Sequence, residues 1–183
     1  MTTLTDPWPH PGTPGPAITL VQLPVPLLHE LARGDGGPEA EGSDLLTPYL
    51  IGEECAWLWR FRSGQVETEP ADAPWISRLA VVPGITGAVG IAGFHGRPDA
   101  RGMVEIGYRI DPQHRRNGYA RASLETLLAV ARDQPDVAVV RATISPDNVA
   151  SRTLVEQYGF VEVGEQWDEE DGREIIFEVP ARP

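Results

Sequence analysis

The run Ile110-Asp111-Pro112-Gln113-His114-Arg115-Arg116-Asn117-Gly118-Tyr119-Ala120-Arg121 gathers the side chains best suited to hold an anion. It joins a strand-like stretch to the start of a long helical stripe, where unpaired N–H groups and the helix dipole favour negative charge. Gly118 and Ala120 leave the backbone uncovered so that a phosphate can approach, and Arg115, Arg116 and Arg121 add fixed positive charge. From Arg97 to Arg121 six arginines stand against Asp99, Glu105 and Asp111, a local balance of +3. The rest of the chain then carries −15, so a basic island sits in an acidic protein. A dedicated anion pocket fits this arithmetic, and so does solvated charge around a capped helix. The bare pattern Arg-x-x-Gly-x-Ala does not separate the two. The strand before it, the helix after it and a second constellation downstream favour the pocket.

That second constellation is Ser145-Pro146-Asp147-Asn148-Val149-Ala150-Ser151, continuing to Tyr158-Gly159-Phe160. With Glu105-Ile106-Gly107-Tyr108 and Arg115-Arg116-Asn117-Gly118-Tyr119-Ala120, it carries a resemblance. From about Trp57 to Val179 the chain resembles the GNAT superfamily of acyl-CoA-dependent N-acetyltransferases, most closely its RimJ/RimL-type branch. The resemblance implies acetyl-CoA as co-substrate and a primary amine as acceptor. It places the coenzyme A pyrophosphate on Arg115, Arg116, Asn117, Gly118, Tyr119, Ala120 and Arg121. The pantetheine arm would lie against the strand ending near Ile110, where that strand splays from the strand over 137–144. Asn148 and Ser151 would face the pantetheine and thioester, and their three-residue step keeps both on one helix face.

Transfer to an amine needs two proton movements: the attacking amine loses a proton and the departing thiolate can gain one. By resemblance Glu105 matches the acidic position used as general base, directly or through water. Its alternative is a strand carboxylate facing solvent or paired with a cation such as Arg109. The tyrosine that many family members place four residues before the Gly-Phe pair is Val155 here. Members with an apolar residue there point to the serine matching Ser151 as general acid, with a plain helix-surface serine as the alternative. Tyr158 is read as packing. Trp57, Trp59 and Trp75 are read as core or dimer packing ahead of lining a cleft. The acidic run Trp167 to Asp171 reads as a solvated hairpin that can also draw in a cationic substrate.

Composition narrows the field. The chain has 183 residues and a formal charge of −12, which suits one domain and disfavours nucleic acid as a partner. All fifteen cations are arginine, so a Walker-type phosphate loop, a Schiff-base lysine and pyridoxal chemistry are excluded. His10, His29, His95 and His114 are scattered without ligand spacing, so no metal is expected. Cys55 is the single cysteine and lies outside every motif, so neither a disulfide nor a covalent acyl-enzyme is expected. No apolar run approaches membrane-spanning length and no secretory pattern opens the chain, which leaves a cytoplasmic protein with no membrane partner as the default. A homodimer is raised by family resemblance alone. Two rival readings remain open at this point: a catalytically silent acyl-CoA sensor, and a nucleotide-binding α/β protein. Protein N-termini, amino sugars, polyamines and amino-acid-like metabolites all remain open as acceptors.

The elements that must position these residues follow from periodicity. Residues 1–16, rich in proline and glycine, read as an extended or disordered flexible tail, and 17–183 as a single domain. Ala17 to Leu23 reads as a strand, Pro26 to Leu31 as a short helix and Arg33 to Ser43 as a mobile loop. Strands are expected over Cys55 to Phe61, Trp75 to Val82, Val89 to Phe94 and Met103 to Ile110. Ala120, Leu124, Leu127, Leu128 and Ala131 form a helical stripe that Pro135 ends. A strand follows over Val137 to Ile144. Asp147 or Asn148 then caps a helix with Ala150, Leu154 and Tyr158 inward, and Gly159 stops it. Phe160 to Gln166 and Arg173 to Val179 flank an Asp-Gly hairpin signal. The sum is a mixed α/β fold, with a largely antiparallel central sheet flanked by helices.

Overall fold

The computed structural model describes residues 4–12, 15–34, 43–169 and 172–182. Among these, eight strands build one sheet: β1 (Trp8–Pro9), β2 (Thr19–Gln22), β3 (Arg78–Val81), β4 (Gly90–Phe94), β5 (Met103–Ile110), β6 (Val139–Ile144), β7 (Val161–Asp168) and β8 (Gly172–Pro180). Their spatial order is β1-β2-β3-β4-β5-β6-β8-β7, and β5–β6 is the one parallel pair among the neighbours. The helices are α1 (Val25–Arg33), α2 (Pro48–Ile51), α3 (Glu53–Thr68), α4 (Tyr119–Asp133) and α5 (Val149–Glu156). The mixed, mostly antiparallel fold expected from the sequence is the fold observed.

Side-chain alternation divides the core between the two faces of the sheet. Val104 and Ile106 of β5 pack with Leu124, Leu127 and Val130 of α4. Leu79 of β3 and Ile91 of β4 pack on the other face, with Leu27 and Leu31 of α1 and Trp59 of α3. Glu105, Gly107 and Arg109 therefore point away from α4. Gly90 and Gly93, part of the three-residue glycine spacing, are close-approach positions in β4. A Cβ would lie 2.3 Å from the Arg109 carbonyl at the first and 2.6 Å from the Ser77 nitrogen at the second.

Two expectations change. Cys55 to Phe61, expected as a strand, lies inside α3. Its buried residues Cys55, Trp59, Arg62, Ser63 and Val66 repeat at helical spacing, and two of them are polar, which hides the stripe from a hydrophobicity reading. α5 buries Val155 completely, while Leu154 and Tyr158 are half-buried and Ala150 is exposed. The expected loop over Arg33 to Ser43 lies outside the described residues from 35 to 42, after Gly34 closes α1 in a left-handed cap.

Within its described residues the N-terminal segment is anchored, with Trp8 and Pro9 in β1. Trp8 is fully buried, and the Arg78 guanidinium lies 3.4 Å from its ring centroid. Arg78 itself is buried and donates to the carbonyls of Asp6 (2.9 Å), Pro74 (3.1 Å) and Leu4. Farther along, His10 pairs with Glu125 of α4 at 2.6 Å. A large aromatic side chain in so closed a setting contributes strongly to stability. Trp8→Ala is expected to cost about 3–5 kcal/mol, read as a fall in the urea midpoint with little change in its slope. A segment that were only a tail would leave the midpoint where it is.

Candidate active site

β5 and β6 pair only at their beginnings, through Met103↔Val139, Val104↔Val140 and Glu105↔Arg141. Beyond Glu105 the two strands part, leaving a gap in the sheet where the resemblance implies one. A cavity of about 820 Å³ opens there. Trp57, Phe61 and Arg62 of α3 form one wall, Trp167 and Glu174 of the β7–β8 hairpin another, and Glu105 and Thr143 lie in its floor. Trp59 and Trp75 are core residues, as expected, whereas Trp57 lines the cavity. Asp168 and Glu169 reach it too, so part of the acidic hairpin belongs to the site; Glu170 and Asp171 lie outside the described residues.

Glu105 is mostly shielded. Its Oε1 accepts a 2.5 Å hydrogen bond from the Thr143 hydroxyl and lies 3.3 Å from His95 Nδ1. Arg109, the partner considered from sequence, is turned elsewhere: it donates to the Glu54 carbonyl at 2.6 Å and lies over the Trp57 ring. Burial by itself would raise the Glu105 pKa. His95 at 3.3 Å, the Thr143 hydroxyl and the Arg141 guanidinium together outweigh it and hold the carboxyl below its ordinary value.

The glycine turn leaves backbone N–H groups without helical partners. Arg116 and Gly118 both take positive φ, 64° and 81°, and Gly118 caps α4. The first intrahelical bond runs from Ala122 N to the Gly118 carbonyl at 3.0 Å, so the N–H groups of Tyr119, Ala120 and Arg121 have no helical acceptor. Asn117 closes the turn by donating to the carbonyls of His114 and Arg115. The three arginines differ. Arg116 is exposed, Arg115 donates from Nε to the Ile110 carbonyl at 3.1 Å, and Arg121 donates to the Tyr158 hydroxyl at 2.9 Å and to Gln157. The Arg121 side chain thus links α4 to the end of α5, and Tyr158 is a polar bridge as well as packing, since it also donates to Glu125. Pro16 packs beside the turn, 3.4 Å from where a Gly118 Cβ would stand.

On the other side of the gap, Asn148 caps α5 by accepting from Ser151 N at 3.1 Å, and both residues line the cavity. Among the described residues the buried Tyr108 hydroxyl has no hydrogen-bond partner of good geometry. Burial raises its pKa, and the neighbouring Ser151 side chain opposes that. An orphaned hydroxyl inside the gap suits a polar group arriving there, such as a thioester carbonyl. Val155 is a core side chain, which accounts for the missing tyrosine at that position. His95 and Tyr108 are the site residues that motif reading passed over. The hairpin register alone would have found His95, because Phe94↔Ile106 sets it opposite Glu105. Among the described residues no cluster of His, Cys, Asp or Glu suits a metal, and no helix is long and apolar enough to cross a membrane.

The depressed Glu105 pKa has a stability consequence. A carboxyl with a lower pKa folded than unfolded stabilises the fold above its unfolded value, roughly 4.3, and loses that contribution as pH falls through the lower native value. As pH falls below about 5, the difference in melting temperature between wild type and Glu105→Gln is therefore expected to move against wild type. A difference that stays flat between about pH 5 and about pH 3 would contradict the lowered Glu105 value.

The acetyltransferase (GNAT) domain family matches residues 47–161. A relative from Bacillus subtilis (strain 168), the uncharacterized N-acetyltransferase YjdG, is 37% identical over 73 residues, 40% of this chain and 44% of that protein. The match spans less than half the length of that relative. Among solved structures, RimL, a ribosomal L7/L12 alpha-N-protein acetyltransferase in complex with coenzyme A, aligns with a TM-score of 0.63 at 16% identity, over 96% of this chain and 98% of that one. Mycobacterium smegmatis RimJ in complex with CoA-disulfide aligns with a TM-score of 0.58 at 16% identity, over 92% and 84%. These two establish likeness of fold. By the family match, the strand gap and the glycine turn, the chain belongs to the GNAT acetyltransferase domain family.

Proposed function

We propose that the protein is an acyl-CoA-dependent N-acetyltransferase that moves an acetyl group directly from acetyl-CoA to a primary amine. The observation that carries this reading is the gap between β5 and β6, with an ionised carboxylate on one face and the free N–H groups of the glycine turn at its end. Acetyl-CoA would sit with its pyrophosphate over Arg115–Arg121, the backbone making the contacts and Arg116 the closest free charge. Its pantetheine would follow the Ile110 end of β5, and its thioester would reach Asn148, Ser151 and Tyr108.

Glu105 is the acidic residue on which removal of the amine proton depends, directly, through water or through a neighbouring side chain. In this reading Ser151 is the proton donor to the departing thiolate, although a thiolate leaves readily without help. Cys55 is buried, and its thiol is held in the neutral form by burial above all, so no acyl-enzyme is invoked. The acceptor is a protein N-terminus or a small cationic amine. Asp168, Glu169 and Glu174 supply negative charge along its entry, and Trp57, Phe61 and Trp167 supply aromatic faces that favour a cation. The ribosomal-protein substrate of RimL makes a peptide with a free N-terminus a natural first acceptor to try.

Titration calorimetry with acetyl-CoA tests the cofactor site. Wild type should bind, and Gly118→Trp should weaken binding at least tenfold while circular dichroism stays unchanged. Thiol release with a free N-terminal peptide and with spermidine tests the chemistry. Glu105→Gln should keep its acetyl-CoA affinity and lose about 10²-fold in turnover. Failure of folded wild type to bind acetyl-CoA would overturn the transferase reading. Binding without release of thiol on any amine would favour the sensor reading instead.

A further inference from the structure

The cavity contains a histidine that the reaction as described leaves idle. His95 follows β4 directly, and its backbone is held on both sides. Its N–H donates to the Glu105 carbonyl at 2.7 Å, and its own carbonyl accepts from Arg62 Nη1 at 2.9 Å and from Gln65 Nε2 at 2.7 Å. The side chain is 44% exposed and lines the cavity, with Nδ1 turned to Glu105. The ring lies over Gly107, one pleat farther into the gap than Glu105. A Cβ on Gly107 would stand only 2.8 Å from His95 Nε2, so the glycine is what makes room for the imidazole.

We propose that His95 is the group that takes the proton from the attacking amine, through Nε2, and that Glu105 acts through it as a positioning residue by holding Nδ1. This deepens the acetyltransferase reading and rests on it. Geometry supplies the first argument. Glu105 Oε1 is already occupied by Thr143 and His95, at the point where β5 and β6 are still paired, while Nε2 reaches over the part of β5 that has left its partner. Tautomer supplies the second. An ionised carboxylate only accepts hydrogen bonds, so Nδ1 facing Glu105 carries the proton and the Nε2 lone pair is free to accept one. Proton affinity supplies the third. A carboxyl held below its ordinary value is a poor match for an ammonium proton near neutral pH, and an imidazole is the better one. The 3.3 Å separation is long for a hydrogen bond and is of the kind that tightens when substrate enters.

The protons balance as follows. The acceptor arrives as an ammonium ion and gives one proton to Nε2, forming an imidazolium stabilised by Glu105. The freed nitrogen lone pair makes the N–C bond, and the C–S pair leaves with sulfur. The second amine proton ends on the thiolate, and His95 returns its own to solvent at the open rim. The charged groups facing the imidazole across the cavity are Glu105 and Arg109 of β5, Arg62 of α3, Glu174 of β8, and Asp168 and Glu169 at the hairpin. Arg141 of β6 acts on it through Glu105.

Two measurements test the proposal. Nitrogen-15 spectra of labelled histidine in the intact free protein should show His95 protonated on Nδ1, with that preference lost in Glu105→Gln. A proton on Nε2 in wild type overturns it. Kinetics with the amine acceptor found for wild type should show His95→Gln losing about 10²-fold in kcat with acetyl-CoA affinity within threefold, and losing the acid limb of the pH profile. That limb exists because Nε2 cannot accept once protonated. Gly107→Ala, which displaces the ring while leaving both ionisable groups in the chain, should reduce kcat in the same direction and covers the case in which His95→Gln folds poorly. Turnover within threefold of wild type and an unchanged acid limb in either folded variant overturns the proposal while the transferase reading stands. A wild type that neither binds acetyl-CoA nor releases its thiol overturns both, a result distinct from the first.

Discussion

The parallel pairing of β5 and β6 ends after three residue pairs, and the cavity follows from that ending. Continued pairing would join the strands along their length and close the gap. Ending it leaves the ladder groups of both strands beyond that point without each other as partners. On the face turned from α4 the polar side chains beside the gap are Glu105 and Thr143. On the other they are Tyr108 and Ser151. The same interruption therefore creates space and assembles the groups that line it.

Around the gap, rigidity comes from interactions across elements. Arg62 of α3 has 6% exposure and ties its helix to the carbonyl of His95, joining the α3 wall to the end of β4. Its burial lowers the guanidinium pKa to about 10, which still leaves it charged at neutral pH. On the opposite side Arg121, Tyr158 and Glu125 join α4 to the end of α5, and His10 extends this network into the N-terminal segment. Past β1, Pro16 lies against Gly118 at the glycine turn. A stretch that composition marks as loose thus packs beside that turn, with Trp8 and Arg78 anchoring it to the sheet.

Legibility was uneven for physical reasons. β5, α4, β6 and α5 appear in the sequence because each pairs unbroken periodicity with clear start and stop residues, such as Asn148 and Gly159. α3 was hidden because Arg62 and Ser63 occupy buried positions of its stripe, and its aromatic residues resemble a strand. Glu105 was legible within its local motif. His95 was not, since ten residues separate it from Glu105 and only the β4–β5 register brings them together.

The sequence by itself determined the α/β class, the glycine turn leading into α4, the capped α5 and the family, because these depend on residues close together along the chain. Tertiary structure decided which of three arginines remains free at the turn, that Glu105 pairs with His95 and Thr143 in place of Arg109, and that the N-terminal segment packs against the sheet. Those outcomes depend on strand register and on competition among buried partners. Neither is encoded in any short window of residues.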